Sequence, residues 1–555
     1  MTSPAPQRAP QPTTLLRGGA VYNPAEPYAT AMLTVGDTVA WIGSEDGADL
    51  HAQSADAVID LDGALVTPAF VDAHVHTTST GLALTGLELS AAASGTDLLD
   101  RVAAYAARLP QDAVVLGTGW DETRWADAIA PSAGELDRAA GGRAVYLSRV
   151  DVHSAAVSSA LVAAVPEATG VPGFRADGLV TRDAHHLLRG EAFARITPEQ
   201  RAQAQRAALR HAARLGIGAV HECGGPQISG EQDFTALLAL AAAEPGPYVF
   251  GYWGELTDPM AARELGAVGA GGDLFIDGAI GSRTASLREP YADAAETGDP
   301  AHRGVAYHDA EQLAGFLLGC AEADVQPGFH VIGDHAMDLL VRALNLAADV
   351  VGEARLRALT VRAEHAEMAD AGAIAELARY GVVVSAQPGF DEAWGGPEGM
   401  YARRLGRERA EGMNAFAAYG AAGVVLAFGS DSPVIPLGPW AAVRAAAFHR
   451  SPSARITVRA AFAAHTRGGW RALAPGAPGV PGDEHGVLAP GAAATYAVWG
   501  AGDLVVQTPD SRVAAWSTDE RAGVPGLPDL TPGEPLPQCL RTVVRGAVIH
   551  DVLGR

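Results

Sequence analysis

The stretch TPAFVDAHVH at residues 67–76 decides the fold, because it joins a short apolar run to a pair of histidines. A short apolar run bounded by turn residues is typical of a buried strand. Side chains alternate along a strand, so the imidazoles of His74 and His76 fall on one face and can converge on one metal ion. The stretch therefore predicts a buried strand that ends in metal ligands.

Seven further apolar stretches follow it, and alanine-rich helical segments separate them. They are GAVHEC (218–223), YVFGYW (248–253), DLFIDG (273–278), QPGFHVIG (326–333), LTVRAEHA (359–366), GVVVSAQP (381–388) and VVLAFGSD (424–431). Strands that alternate with helices favour a parallel sheet, and eight is the strand number of a (β/α)8 barrel. We therefore predict an α/β fold with a TIM barrel over residues 67–469.

The chain on either side of this barrel consists of short β-like runs separated by Gly and Pro. Because the two ends of a domain commonly lie close together, we predict one composite β-sandwich from residues 14–66 and 470–555. Residues 1–13 are rich in Pro, Ala and Gln and predict a disordered tail. The gap after the first strand is too long for one helix, so we expect an insert at about 78–200 that covers the barrel mouth.

Composition excludes several classes of function. With 64 acidic and 40 basic side chains the formal charge is −24, which argues against a nucleic-acid partner. No apolar run approaches the roughly 20 residues of a membrane span, and three scattered cysteines predict free thiols in a reducing, cytoplasmic setting. All 40 basic residues are Arg, so chemistry that needs a lysine amine is excluded.

Potential metal ligands stand at the ends of four predicted strands. His330 in GFHVIGD, His365 in RAEHAE and Asp431 in FGSDSP join the two histidines of the first strand. In barrels of this class, functional groups cluster at the carboxyl ends of the strands. The sequence therefore predicts a metal centre at this end of the barrel, with a donor set that favours zinc and also fits iron, manganese or nickel.

At these motifs the chain resembles the amidohydrolase superfamily and, within it, the amidohydrolase family 3 branch that includes N-substituted formamide deformylases. The motifs are LVTPAFVDAHVH, GTGWDETRW, ELD with VDVHSAAVSSAL, LFIDGAIGSRTASLREPYAD, FHVIGDHAMD, RAEHAE, SAQP and FGSDSPV. The resemblance implies a metal-bearing (β/α)8 barrel with a flanking β-sandwich, and hydrolytic attack on a C–N bond. It also implies the metal ligands His74, His76, His330, His365 and Asp431.

The chain departs from this branch at one position. Members commonly place a carbamylated lysine, which bridges two metals, four residues before the Asp of the fourth-strand motif, and here that residue is Asp273. Asp273 is much shorter, so we expect it not to bridge; Glu222 is longer and either bridges or pairs within the fold. We expect one tightly held ion on His74, His76, His330 and Asp431, with His365 as a further ligand or as a partner of the bound water.

The expected activity is hydrolysis of a non-peptide C–N bond in an amide, N-acyl or N-formyl compound. A divalent ion activates water at neutral pH, and Asp431 would move its proton to the leaving nitrogen. Substrate contacts are expected from side chains of the insert and of the loop after the fourth strand, although packing within the fold explains them equally well. These side chains are Trp120, Asp121, Arg124, His153, Asp277 and Arg283.

Two other functions stay open. A mononuclear site of this composition also suits deamination of a cyclic amidine or aromatic amine, and the absence of lysine favours that reading. The second alternative is a non-catalytic binding protein whose metal site has decayed. The expected partner is a small-molecule substrate, with neither nucleic acid nor membrane, and a homodimer is common among such barrels.

Overall fold

The computed structural model describes residues 11–122, 125–126, 129–149, 154–226, 228–256, 258–477, 479–482, 485–507, 516–517 and 523–553. The chain divides into two compact units, one of Met1–Thr77 with Leu209–Arg555 and the other of Thr78–Ala208. Most of the predicted tail lies outside the described residues, and the first strand begins at Thr13. Among the described residues, no helix has the length and apolar character needed to cross a bilayer.

The first unit contains an eight-stranded parallel sheet whose strands are arranged in chain order. The strands are Phe70–Val75, Ile217–Gly224, Tyr248–Trp253, Gly269–Ala270, Gln326–Val331, Arg362–His365, Val383–Ala386 and Val425–Phe428. A parallel bridge between Val75 and Ser432 links the end of the first strand to the segment after the eighth. The predicted (β/α)8 barrel is confirmed.

Helices connect successive barrel strands, as the βα pattern predicts. Their bounds are Pro198–Arg214, Glu231–Ala243, Pro259–Glu264, Ala310–Ala323, Asp334–Val351, Glu353–Leu359, Ala371–Tyr380, Pro388–Trp394, Met400–Leu405, Arg407–Glu411, Phe416–Ala421, Pro439–Ala447, Val458–Ala463 and Gly469–Arg471. Short turns of other helix types lie at Ala294–Thr297, Pro452–Ala454 and Ala464–Gly468. Leu340, Leu344 and Leu377 are among the apolar side chains that these helices bury in the core.

The fourth barrel strand differs from its prediction. We placed it at DLFIDG (273–278), whereas the paired strand is Gly269–Ala270. Gly271 and Gly272 follow it with φ of +101° and +73°, a backbone region that glycine adopts freely and that interrupts an extended strand. Pairing resumes only at a single bridge between Phe275 and His330.

Strands from both ends of the chain pair with each other beside the barrel. In a five-stranded sheet, Leu65–Pro68 lies antiparallel to Tyr496–Gly500; its other strands are Ala20–Val21, Gln538–Val544 and Ala547–Asp551. A four-stranded sheet contains Thr13–Arg17, Ala31–Val35, Thr38–Gly43 and Ala57–Asp60, with the helix Glu45–Ala52 nearby in the chain. A smaller sheet contains Leu504–Gln507, Trp516–Ser517 and Leu527–Pro528.

The second unit, Thr78–Ala208, has its own five-stranded sheet and its own core. The strands are Leu87–Glu88, Val115–Trp120, Val145–Arg149, Ser154–Val157 and Leu179–Thr181. The helices of this region are Thr77–Thr85, Gly95–Ala106, Ala133–Ala139, Ser159–Ala164 and Arg182–Ala194, with a 3-10 turn at Pro166–Gly170. This segment stands where the sequence predicts an insert at about 78–200.

Candidate metal centre

The barrel brings the predicted ligands together from four strand ends. His74 lies in the first strand and His76 directly follows it, whereas His330 lies in the fifth. His365 ends the sixth strand with φ of +69°, and Asp431 follows the eighth with φ of +57°. Residues other than glycine seldom adopt this left-handed backbone, and such strain concentrates at functional sites.

Two of the imidazoles meet the carboxylate of Asp431. Asp431 Oδ1 lies 3.0 Å from His76 Nε2 and 3.5 Å from His74 Nε2. The backbone fixes this approach, because the Asp431 amide donates to the carbonyl oxygen of His74 and the His76 amide donates to that of Ser432. Alternation along the first strand therefore places both histidines on one face, toward Asp431.

The carboxylate of Asp273 lies among all four histidines, which differs from the expectation drawn from its length. Asp273 Oδ1 is 2.9 Å from His330 Nδ1, 3.7 Å from His365 Nε2 and 4.0 Å from His74 Nε2. Asp273 Oδ2 is 3.6 Å from His76 Nε2. The side chain that the sequence argument set aside as too short thus lies at the centre of the cluster.

Each histidine uses its other ring nitrogen to contact the surrounding protein. His74 Nδ1 lies 2.9 Å from Glu364 Oε2, and His76 Nδ1 lies 2.9 Å from the Cys223 carbonyl oxygen. His330 Nε2 lies 3.3 Å from the Gly278 carbonyl oxygen, and His365 Nδ1 lies 2.7 Å from Gln387 Oε1. Such contacts fix the orientation of each ring and direct its inner nitrogen toward the centre, as in metal-binding histidines. The arrangement is that of a ligand set held ready for an ion.

The donor set fits a metal ion by two further criteria. Within the described part of the chain, His74 Nε2 is buried and has no hydrogen-bond partner, which is costly unless an ion or another ligand satisfies it. Ligands at 2.0–2.2 Å from one ion stand no more than about 4.4 Å apart. The inner atoms at 3.0 to 4.0 Å from one another meet that limit.

Burial and the neighbouring charges shift the pKa values of the clustered carboxyls and imidazoles in opposite directions. Burial alone would raise the pKa of Asp273 and Asp431, but the surrounding imidazoles hold the pKa of both carboxyls below the ordinary value. Burial would lower the pKa of His76 and His365, but Asp431 raises that of His76 to about 9 and Asp273 raises that of His365 to about 10. A dication would replace the protons that balance these carboxylates.

A fully buried ion pair lies beneath the cluster. Arg362 Nε donates to Glu364 Oε1 at 2.7 Å, and both side chains have no exposed surface. Arg362 also donates to His221 Nδ1 and covers the ring of Tyr252 at 4.3 Å. Burial opposes the charge of Glu364, but Arg362 and His74 keep its pKa well below the ordinary range. Glu364 therefore stays a carboxylate that orients His74.

Glu222, Asp277 and Arg283 make contacts within the fold, and a ligand or substrate role for them remains a prediction. Glu222 Oε2 accepts the Thr77 amide at 2.7 Å, and Glu222 is absent from the candidate ligand groups formed by the described residues. Both carboxylate oxygens of buried Asp277 accept backbone amides, from Ser286, Ile332 and Gly333. The guanidinium of Arg283 donates twice to Asp293. These contacts fix the loop after the fourth strand.

The predicted contacts in the insert belong to the second unit. Trp120 is fully buried there, and its indole nitrogen donates to the Leu147 carbonyl at 2.9 Å. Asp121 accepts from Arg149 at 3.2 Å. Arg124 and His153 lie outside the described residues. A substrate role for these four side chains remains a prediction.

Sequence reasoning missed Asp273 as a central group and missed Glu364 and Gln387 altogether. Two signals were present: a glycine pair directly before Asp273, and a glutamate directly before the histidine in RAEHAE. Alternation would put Glu364 and His365 on opposite faces, but the positive φ of His365 turns both side chains inward. That change of conformation is not readable from the sequence.

Comparison with known proteins defines the class. The family model described as "Amidohydrolase family" matches residues 57–550, and the chain belongs to this family. It is 27% identical over 421 residues to "Putative amidohydrolase YtcJ" of Bacillus subtilis (strain 168), covering 71% of this chain and 75% of that protein. It is 21% identical to the N-substituted formamide deformylase of Arthrobacter pascens, covering 66% and 71%.

Solved structures agree with the fold. An uncharacterized metal-dependent hydrolase from Pyrococcus furiosus superposes with a TM-score of 0.70 at 24% identity, covering 88% of this chain and 98% of that one. This likeness supports the fold, and the family model confirms the predicted family. The chain is a hydrolase of the class that acts on carbon–nitrogen bonds other than peptide bonds.

Proposed function

We propose that this protein is a metal-dependent hydrolase that cleaves the C–N bond of an N-acyl or N-formyl amine and releases the amine. The observation that carries the proposal is the convergence of three buried imidazoles, the partly buried imidazole of His76 and two carboxylates at the carboxyl end of the barrel. The formamide deformylase among its relatives supports the substrate class.

We assign the metal to His74, His76, His330, His365 and Asp431. When bound, a divalent ion supplies a nucleophile at neutral pH by lowering the pKa of water, and it polarises the substrate carbonyl. Histidine with carboxylate suits zinc, and iron, manganese and nickel accept the same donors. His365 has its outer nitrogen on Gln387, which orients its inner nitrogen toward the centre.

Asp431 is the group assigned to proton transfer. Its carboxylate is deprotonated at neutral pH because the nearby imidazoles outweigh its burial, so it can accept a proton. Its Oδ1 lies at the His74 and His76 side of the centre, 3.0 Å from His76 Nε2 and 3.5 Å from His74 Nε2. Asp431 would take the proton from the attacking water and deliver it to the leaving nitrogen.

A cavity of about 620 Å³ beside His330 suits an apolar substituent on that nitrogen. Leu256, Leu274, Phe275 and Tyr307 are among its lining side chains. Phe275 connects the cavity to the ligand cluster, because its ring also lies 4.8 Å from that of His330, centroid to centroid, and Glu255, Asp277 and His308 add polar groups to the lining. Mostly apolar walls with a few polar groups are usual for small-molecule sites. We therefore expect alkyl or aryl amines as leaving groups.

The test is a product assay on metal-loaded protein with N-formyl and N-acyl derivatives of alkyl and aryl amines, alongside aromatic amines and cyclic amidines. We expect amine and carboxylate in equal amounts, with no turnover after chelation. The control is Asp258→Asn, which changes an exposed helix cap after the third strand and should turn over normally. Release of ammonia would indicate a deaminase instead, and retained metal without turnover of any class would contradict an enzymatic role.

A further inference from the structure

We infer that Asp273 is a ligand shared by two metal ions, and that its carboxylate serves in this chain as the bridge. The inference rests on the proposed metal-dependent function and deepens it, because it adds a ligand and a second ion. It replaces the single ion expected from the sequence. A carbamate is excluded as the bridge since the chain has no lysine.

The two oxygens of Asp273 face different ligands. Oδ2 lies near His76 at 3.6 Å, on the side where His76 approaches Asp431 at 3.0 Å. Oδ1 lies near His330 at 2.9 Å and His365 at 3.7 Å, and it also comes within 4.0 Å of His74. His74, His76 and Asp273 form one candidate ligand group and Asp273, His330 and His365 form another, while His74, His365 and Asp431 form a group that joins the two.

The number of donors also favours two ions. Four imidazoles and two carboxylates exceed the four ligands that a zinc ion usually takes. If Asp273 is shared, the first set has His74, His76, Asp431 and Asp273, and the second has Asp273, His330 and His365. Each ion then has three or four protein ligands. Paired ions in hydrolases lie about 3.5–4 Å apart, a separation that a carboxylate with one oxygen on each ion can span.

The main chain of the fourth strand explains how a short side chain reaches this position. Gly271 has φ of +101°, and a Cβ atom added to it would stand only 2.0 Å from the Gly328 carbonyl oxygen. Gly272 has φ of +73°, and its added Cβ would stand 2.7 Å from the Cβ of Tyr252. The glycine pair thus lets the backbone lie directly against its neighbours, and Asp273 leaves that backbone at the centre of the barrel end.

No other carboxylate among the described residues has this placement. Asp273 is within 4.0 Å of a ring nitrogen of each of the four histidines. Among the described residues, Asp431 lies within 4.0 Å of a ring nitrogen of only two of these histidines, His74 and His76. Glu222, the alternative bridge, accepts the Thr77 amide instead. The shared position therefore belongs to Asp273.

The experiment counts ions and detects their coupling in the full-length protein. Chelator-treated protein is loaded with Mn²⁺ in carbon-dioxide-depleted buffer, desalted, and measured by elemental analysis and electron paramagnetic resonance. We expect about two ions per chain and a spin-coupled spectrum. Asp273→Asn should keep its circular dichroism but hold about one ion or fewer with no coupling. Asp258→Asn, the same exchange away from the cluster, should hold two coupled ions.

Several results would overturn the inference: one ion per chain in the unaltered protein, two uncoupled ions, or two coupled ions retained by Asp273→Asn. If Asp273→Asn fails to fold, the spectrum of the unaltered protein decides alone. The failure of the proposed function can be told apart from the failure of this inference. Coupled ions without C–N cleavage would contradict the function and support the bridge, whereas amine release by a one-ion protein would support the function and contradict the bridge.

Discussion

The first and fourth barrel strands both end in the ligand cluster, but they deliver their side chains in different ways. The first strand is continuous over Phe70–Val75, and although its register against the second strand shifts between Asp72 and Val75, His74 and His76 both face Asp431. The fourth is paired only over Gly269–Ala270 and then breaks at two glycines before Asp273. A continuous strand presents ligands that the sequence pattern predicts, whereas a broken strand positions its ligand by backbone conformation.

The largest expected effect concerns Asp431, which meets the first-strand histidines. Asp431→Asn keeps the size of the side chain and removes its basicity, so kcat should fall by about 10²–10⁴-fold. Metal content should remain near that of the unaltered protein. Steady-state kinetics on the identified substrate, with metal analysis of the same sample, checks this. Near-normal kcat with metal bound would place the base elsewhere.

The next effect tests the broken strand directly. Gly271→Ala puts a Cβ atom 2.0 Å from the Gly328 carbonyl at a positive φ, so we expect the free energy of unfolding to fall by about 3–4 kcal/mol. Gly298→Ala is the matched control, since Gly298 also has a positive φ but no atom within 4 Å of an added Cβ. It should cost only about 1–2 kcal/mol. Equal urea midpoints for the two variants would show that the close approach at Gly271 carries no constraint.

A combined effect on metal affinity and stability should come from Glu364, which supports His74 of the first strand. Glu364→Gln weakens the contact that orients His74, so metal affinity should fall by about 10–100-fold. It also leaves Arg362 buried without its charged partner, at a cost of about 3–5 kcal/mol in stability. Glu353→Gln is the control, because it breaks an exposed pair with Arg379 that solvent screens, and it should leave the free energy of unfolding nearly unchanged. Metal titration of both variants measures the loss of metal affinity, and urea unfolding measures the loss of stability.

The smallest expected effect is none at all. Because the fourth strand offers a carboxylate and the chain has no lysine, bicarbonate should not change activity or metal uptake. Apo-protein reloaded with metal in carbon-dioxide-depleted buffer should recover the same turnover as a sample given bicarbonate. A clear gain with bicarbonate would contradict this.

The same contrast explains what could be predicted from the sequence. Apolar periodicity predicted the barrel, and the placement of ligands at strand ends predicted one metal centre at its carboxyl end. The predicted ligands were His74, His76, His330, His365 and Asp431. The fourth strand was misplaced, because an apolar run at 274–276 suggested a strand where the glycine pair had already ended it. Asp273 was judged by its length alone. Its reach depends on main-chain position, which follows from contacts with other strands and not from local pattern.

The most direct test of the difference between the two strands is anomalous diffraction from crystals loaded with Zn²⁺ or Mn²⁺ in carbon-dioxide-depleted buffer. We predict two peaks, one beside His74, His76 and Asp431 and one beside His330 and His365, with the Asp273 carboxylate between them. A single peak, or two peaks with Asp273 bound to neither, would contradict the shared role of Asp273.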